Sequence, residues 1–253
     1  MSNSPKPVGV NYKGEKMLKK TITLIGLFVS GMAVYAHGPL LDEKAVVGVD
    51  WLNDLYNDTV QKNGGTLPRP EKKLKKKAVR VGDIESFWTM NVATRQPMQI
   101  EAELRHIGKN CYIYLELEQD MRVSQETLEK LSEQFDEGIY PTNRKFFGSE
   151  PKPGIDFDER VTLLFLNIQD GWEPGRGYVA GYFSPMDGVS SSLWDFSNER
   201  EMVYLDVNPG DPKRPDYLGI LAHEFQHMQH ANYDRREELW LQPPLQDQAL
   251  NAL

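Results

Sequence analysis

Residues Asp216-Tyr-Leu-Gly-Ile-Leu-Ala-His-Glu-Phe-Gln-His-Met-Gln-His-Ala231 decide how the chain is read. Inside them, His223-Glu-Phe-Gln-His227 is an H-E-x-x-H pattern. On a helix this pattern aims two imidazoles at one ion and sets a glutamate beside them. At 100° per residue, His223 and His227 lie roughly 40° apart, with Glu224 roughly 100° round from His223. Leu218, Leu221, Phe225 and Met228 gather on the opposite side, roughly 140–220° from His223. The stretch therefore predicts an amphipathic helix from Asp216 to about Ala231. Its apolar face enters the core and its histidine face meets a cleft. Asp216 is placed to cap it.

His230 shares that face but stands about 10 Å along the axis from His223. Zinc–nitrogen bonds are about 2 Å long, so His230 is read as a neighbouring or surface group rather than a third ligand. The longer H-E-x-x-H-x-x-G-x-x-H pattern is absent, because His230 stands where its glycine belongs and Tyr233 where its last histidine belongs. The single cysteine, Cys111, excludes both an intrachain disulfide and a cysteine-based zinc site. It sits in the apolar run Cys111-Tyr-Ile-Tyr-Leu and reads as a buried structural thiol. The competing reading of the motif is a polar helix face with surface histidines.

Upstream of the helix the pattern is mixed. Val79-Arg-Val, Glu85–Met90, Met98–Leu104 and Cys111–Leu117 alternate or run apolar, as strands do. Gly108-Lys-Asn110 is a turn signal that makes the last two a hairpin. Ser124 caps a helix carrying Leu128, Leu131, Phe135 and Ile139, and Pro141 is expected to close it. Val161–Leu166 is a short, wholly apolar run that predicts a central strand. Tyr178–Phe183 lies inside a glycine-rich segment, and Glu201–Asp206 predicts another strand. This order of elements implies an α+β fold. Asp156, Asp158 and Glu159 are a candidate calcium turn, but without EF-hand spacing they read better as an exposed turn.

The formal net charge of the 253-residue chain is −8, unevenly spread. From Ala78 onward there are 16 Lys+Arg against 30 Asp+Glu. An acidic body argues against nucleic acid as a partner, since that needs a positive surface. Met17 to Ala36 has two lysines, an apolar run and then small residues, the layout of a secretory signal peptide cleaved after Ala36. The expected start is Met17, and no stable membrane insertion is expected after cleavage. An uncleaved membrane anchor is the alternative. Asp50–Gln61 predicts a short helix, broken by Asn63-Gly-Gly. The basic run Pro68–Lys77 reads as an exposed linker, or as a processing site between a pro-segment and an enzyme.

Leu221-Ala-His-Glu-Phe-Gln-His227, followed by Glu237-Glu-Leu-Trp-Leu241, resembles secreted bacterial zinc metallopeptidases of the hyicolysin and immune-inhibitor-A type. The resemblance continues upstream through Phe135–Pro141, Gly154-Ile-Asp-Phe-Asp, the Leu163 strand, Gly181-Tyr-Phe and Ser197–Leu205. It implies a zincin-like catalytic domain with a mixed sheet. It also implies that Glu201–Asp206 is an edge strand along which substrate lies. In such enzymes Trp-Leu is similar to a run continuing Asn-Glu-Gly-Leu-Ala, whose glutamate would be the third zinc ligand. Here Trp240-Leu241 continues Gln-Pro-Pro-Leu-Gln246, with proline in that place. A truncation or frameshift near Gln242 is expected. Asp234, Glu237, Glu238 and Asp247 remain open as the third ligand, as does its absence.

In domain terms, residues 1–36 are expected to be extension and signal, 37–78 a pro-segment or linker, 79–120 a β-rich domain, and 121–253 a truncated zincin-like domain. Zn2+ is expected on His223 and His227, with Glu224 as general base acting on a protein or peptide substrate. The expected location is outside the cell or in the periplasm. The alternatives are an inactive remnant or an exported binding protein, and a zinc hydrolase acting on a non-peptide amide also fits.

Overall fold

Two runs in which every side chain is buried, Cys111–Glu116 and Val161–Leu166, lie side by side as parallel strands. Strands covered on both faces belong inside a sheet, and the rest of the fold is arranged around this pair. The computed structural model describes residues 45–47, 49–65, 67, 78–152 and 154–233. In chain order these form β1 (Ala45–Val47), α1 (Asp50–Lys62), β2 (Ile84–Asn91), β3 (Gln96–Ile107) and β4 (Cys111–Glu116). Then come α2 (Gln125–Gln134), α3 (Tyr140–Phe147), β5 (Val161–Leu166), β6 (Tyr178–Phe183), β7 (Met202–Asp206) and α4 (Tyr217–Tyr233). The described residues all fall in one compact unit.

One mixed sheet runs in the order β1-β6-β7-β5-β4-β3-β2. β5 is its middle strand, as its apolar run predicts. β2, β3 and β4 form antiparallel neighbours, β4, β5 and β7 run parallel, β6 is antiparallel to β7, and β1 is parallel to β6. The fold is α+β with a mixed sheet. Strands on either side of position 120 are hydrogen-bonded neighbours in that one sheet.

Period-2 alternation gives the sheet two apolar faces. Cys111, Ile113, Leu115, Val161, Leu163 and Phe165 pack against Leu128 and Leu131 of α2 and Leu221, Phe225 and Met228 of α4. On the other face Tyr114, Leu164, Tyr182 and Tyr204 gather with Phe87, Leu104 and Leu52 of α1. The sheet curls so that β2 meets this second face. The Trp88 N–H donates to Asn198 Oδ1 at 2.8 Å, and Asn198 Nδ2 donates back to the Trp88 carbonyl at 2.8 Å. The Met90 N–H donates to the Tyr182 hydroxyl at 3.3 Å. Side chains thus close an edge strand that would otherwise offer open backbone groups.

Three expectations need correction. Val79–Val81 is not a strand: the Asp83 N–H donates to the Arg80 carbonyl, the Asp83 carboxylate accepts the Arg80 N–H, and Gly82 takes φ +94°. Turn chemistry of this kind overrides a three-residue alternation. Pro141 does not close a helix, because it sits in the first turn of α3. A π-turn over Phe135–Ile139 precedes it, with the Tyr140 N–H bonded to the Phe135 carbonyl, and the wider turn accommodates the proline. The third concerns β7, which is flanked by β6 and β5 and is no edge strand. All five of its residues are buried. Ser124 does cap α2, its side chain accepting from the Thr127 N–H.

The signal stretch Met17–Ala36 and the basic run Pro68–Lys77 lie outside the described residues. Among the described residues no helix is long and apolar enough to cross a membrane.

Candidate metal centre

α4 begins immediately after Asp216. The Asp216 carbonyl accepts the first helical bonds, from Gly219 and Ile220, while its carboxylate meets the Arg214 guanidinium at 3.0 Å. Leu221, Phe225 and Met228 are buried on the sheet side, each such side chain contributing about 1.5–3 kcal/mol on burial. Phe225 meets Phe135 edge-on and stacks on Tyr140. Asn143 Nδ2 donates to the Ala222 carbonyl at 2.8 Å, immediately before His223. Gln229 Nε2 donates to the Gly148 carbonyl at 2.8 Å, and Asn232 Nδ2 to the Ser149 carbonyl at 2.9 Å. These three contacts fix the rotation and height of the helix against α3 and the loop after it. No spacing rule in the sequence points to them, since they join positions about 80 residues apart.

The apolar packing turns the two histidines together. His223 Nε2 and His227 Nε2 stand 2.9 Å apart, with ring planes at 84°. Two nitrogens bound tetrahedrally to one zinc are about 3.3 Å apart, given bonds of about 2.0–2.1 Å. The observed separation differs from that by a few tenths of an ångström, so the pair fits a shared ion. Burial first, then the neighbouring His227 and His230, pushes the His223 imidazole down to about 3. It is neutral at pH 7, the form that coordinates metal.

Glu224 is fully buried, tucked beneath β6. A Cβ placed on Gly181 would come within 3.2 Å of Glu224 Cγ and 3.0 Å of both Ile220 Cγ2 and the Tyr204 carbonyl oxygen. A glycine inside a strand is the available signal of such a close approach. In the sequence, Gly181 stands out only through the family resemblance, which assigns it no contact with Glu224.

The remaining candidates separate clearly. His230 lies edge-on against Phe147 at 5.7 Å. Among the described residues no group of three His, Cys, Asp or Glu is placed to hold a metal. Asp234, Glu237, Glu238 and Asp247 lie outside the described residues. Asp156 and Asp158 shape the turn before β5: Asp156 Oδ1 accepts the Asp158 N–H, and Asp158 accepts the Arg160 N–H and the Tyr112 hydroxyl. Cys111 is buried beside Ser132, and burial pushes its thiol up to about 12.

Fold and site together define an α+β protein built around an H-E-x-x-H helix. No protein-family model matches the chain. It is similar to the neutral metalloprotease ShpI of Staphylococcus hyicus, at 32% identity over 161 residues. That span is 60% of this chain and 34% of the relative, so the chain matches about a third of that protein's length. The similarity supports a relationship to metalloproteases.

Proposed function

We propose that the chain is a secreted zinc-dependent endopeptidase, exported by a signal peptide cleaved after Ala36. The observation that carries this reading is the convergence of His223 Nε2 and His227 Nε2 at 2.9 Å on a helix whose intervening Glu224 lies beneath a strand. The similarity to a neutral metalloprotease supports it.

In this reading His223 and His227 hold the metal. A further ligand comes from beyond position 233, with Asp234, Glu237, Glu238 and Asp247 as candidates. A zinc ion held by His223 and His227 would supply an electrophile for the scissile carbonyl and would lower the pKa of a nearby water. Glu224 would take a proton from the water as its oxygen bonds to the scissile carbonyl carbon, and would return that proton to the amine nitrogen as the C–N bond breaks. Its burial places this transfer away from bulk solvent. In this reading a peptide substrate lies along β6, the strand packed against Glu224, rather than along Glu201–Asp206, the strand that the family resemblance implied. In the same reading, residues 37–78 are a pro-segment.

Zinc stoichiometry and casein cleavage by the purified chain test the proposal. About one zinc per chain, with cleavage abolished in Glu224→Gln, is the expected result. A chain that loses its zinc on dialysis and leaves casein intact refutes it and favours the inactive-remnant or binding-protein reading.

A further inference from the structure

α3 grips the histidine helix through a matched pair of contacts. Tyr140 stacks on Phe225, with ring centroids 5.7 Å apart and planes at 18°. Asn143, one turn further along α3, donates from Nδ2 to the carbonyl of Ala222, one turn earlier on α4 than Phe225. Positions three apart are neighbours on a helix surface, so each pair shares a face. The π-turn sets this up. On an uninterrupted α-helix Tyr140 would stand roughly 140° round from Phe135. With the π-turn between them, both rings lie against Phe225, at 5.2 Å and 5.7 Å. The Tyr140 hydroxyl donates to Glu150 and accepts from Arg144, both at 2.8 Å, which fixes the far end of that ring.

Asn143 is buried. Its acceptor is the carbonyl of the peptide that joins Ala222 to His223, so the amide holds the backbone from which His223 projects. A carbonyl oxygen has two lone pairs, and this bond adds to those within the helix. Asn143 also differs from the other two side-chain amides that tie α4 down. It holds the helix before the histidine pair, whereas Gln229 and Asn232 hold it after. Without Asn232, one tie remains on each side of the pair. Without Asn143, both ties lie beyond His227. The His223 end is then held by apolar packing, which is non-directional.

We propose that Asn143 is a positioning residue for the metal centre, holding His223 at the rotation that lets its Nε2 meet the ion shared with His227. The inference rests on the metal-binding part of the peptidase reading. Groups one step removed from a metal change its affinity by about 10–100-fold when they are lost, because they orient the ligands. Asn143 acts on the backbone of His223 rather than on its ring, which sets the expected effect at the lower end of that range.

The test uses the full chain. Asn143→Leu keeps the shape of the side chain and removes its donor. Asn143→Ala puts a good helix former at the same helical position and covers the case in which leucine prevents folding. Asn232→Leu is the comparison, since it cuts a similar tie beyond the histidine pair. Zinc affinity is measured by competition with a chelator, and the visible absorption of the cobalt(II)-loaded chain reports the geometry around the ion. The Asn143 variants are expected to bind zinc about tenfold more weakly than the parent and to shift the cobalt bands. Asn232→Leu is expected to match the parent in both. Parental affinity and cobalt bands in the Asn143 variants overturn the inference. So does an equal loss in Asn232→Leu, which would reduce the effect to general support of the helix, and so does a parent chain that binds no zinc. Casein cleavage judges the peptidase reading separately: a parent that holds zinc and leaves casein intact, with weaker binding in the Asn143 variants, removes the enzyme reading and leaves the positioning role standing.

Discussion

Gly181 of β6 and Glu224 of α4 touch across the seam between sheet and helix, close enough that a methyl group at 181 would lie 3.2 Å from Glu224 Cγ. The same methyl would meet the Tyr204 carbonyl oxygen at 3.0 Å, and backbone of a buried strand yields little. Gly181→Ala is therefore expected to cost about 1–3 kcal/mol, the usual penalty for overpacking a filled core. Urea denaturation measures it. A variant as stable as the parent would show that helix and strand separate freely.

Glu224→Gln keeps the shape of the buried side chain and removes its basicity. Peptide hydrolysis is expected to fall by about 10²–10⁴-fold, the range for loss of a general base, with zinc content unchanged. His227→Ala should lose the zinc itself, read by metal analysis after dialysis. Retention of full zinc by His227→Ala would remove that residue from the metal site.

Asn198 closes the open edge of β2 by both accepting from and donating to Trp88, and it also donates to Asp187 through its backbone N–H and Nδ2. Asn198→Ala strips partners from several half-buried groups at once. A loss of about 2–3 kcal/mol is expected, since each orphaned polar group costs about 1–3 kcal/mol. The exposed edge should also promote association, which light scattering detects. A monodisperse variant of parental stability would contradict the edge-closing role.

Asp187 and Asp206 set a pH dependence. Burial pushes both carboxyls up to about 6 from 3.8, against hydrogen bonds from Tyr204 and Asn198 at Asp187 and from the Gly210, Ile168 and Asn208 amides at Asp206. A raised folded-state value means that the folded chain binds protons more tightly than the unfolded one. These two groups therefore add stability as pH falls from about 6 toward 4, and withdraw it as pH rises through the same window. The ceiling is about 3 kcal/mol for each. Comparing urea midpoints at pH 7 and pH 4.5 for the parent and Asp206→Asn isolates one of them. The parent should gain more than the variant on acidification, and equal gains would refute the assignment.

Much of the fold is legible in the residues. Val161–Leu166 carries no polar group except Thr162, and only a strand covered on both faces satisfies that. Ser124 announces its cap because the partner amide is three residues away. The wheel of α4 separates apolar from histidine faces because that helix has one core to face. Interactions that the sequence hides are long-range or depend on a single local geometry. Asn198 meets Trp88 across 110 positions. Pro141 is tolerated in a helix because the π-turn before it removes the clash that a proline rule assumes. Glu201–Asp206 reads as a strand, but which strands flank it is a matter of topology. That β6 reaches it antiparallel and covers one side is not written in its own residues.

β1 carries a consequence for how the chain is made. Its partner strand lies more than a hundred residues downstream, so during synthesis Ala45–Val47 leave the ribosome long before Tyr178–Phe183 exist. Contacts of such high order form late, after the loop they close has been drawn in. The β4–β5–β7 layer and its helices have cores of their own to collapse on, whereas the β1 edge waits for the whole sheet. That order makes Ala45–Val47 the last described piece of the sheet to settle.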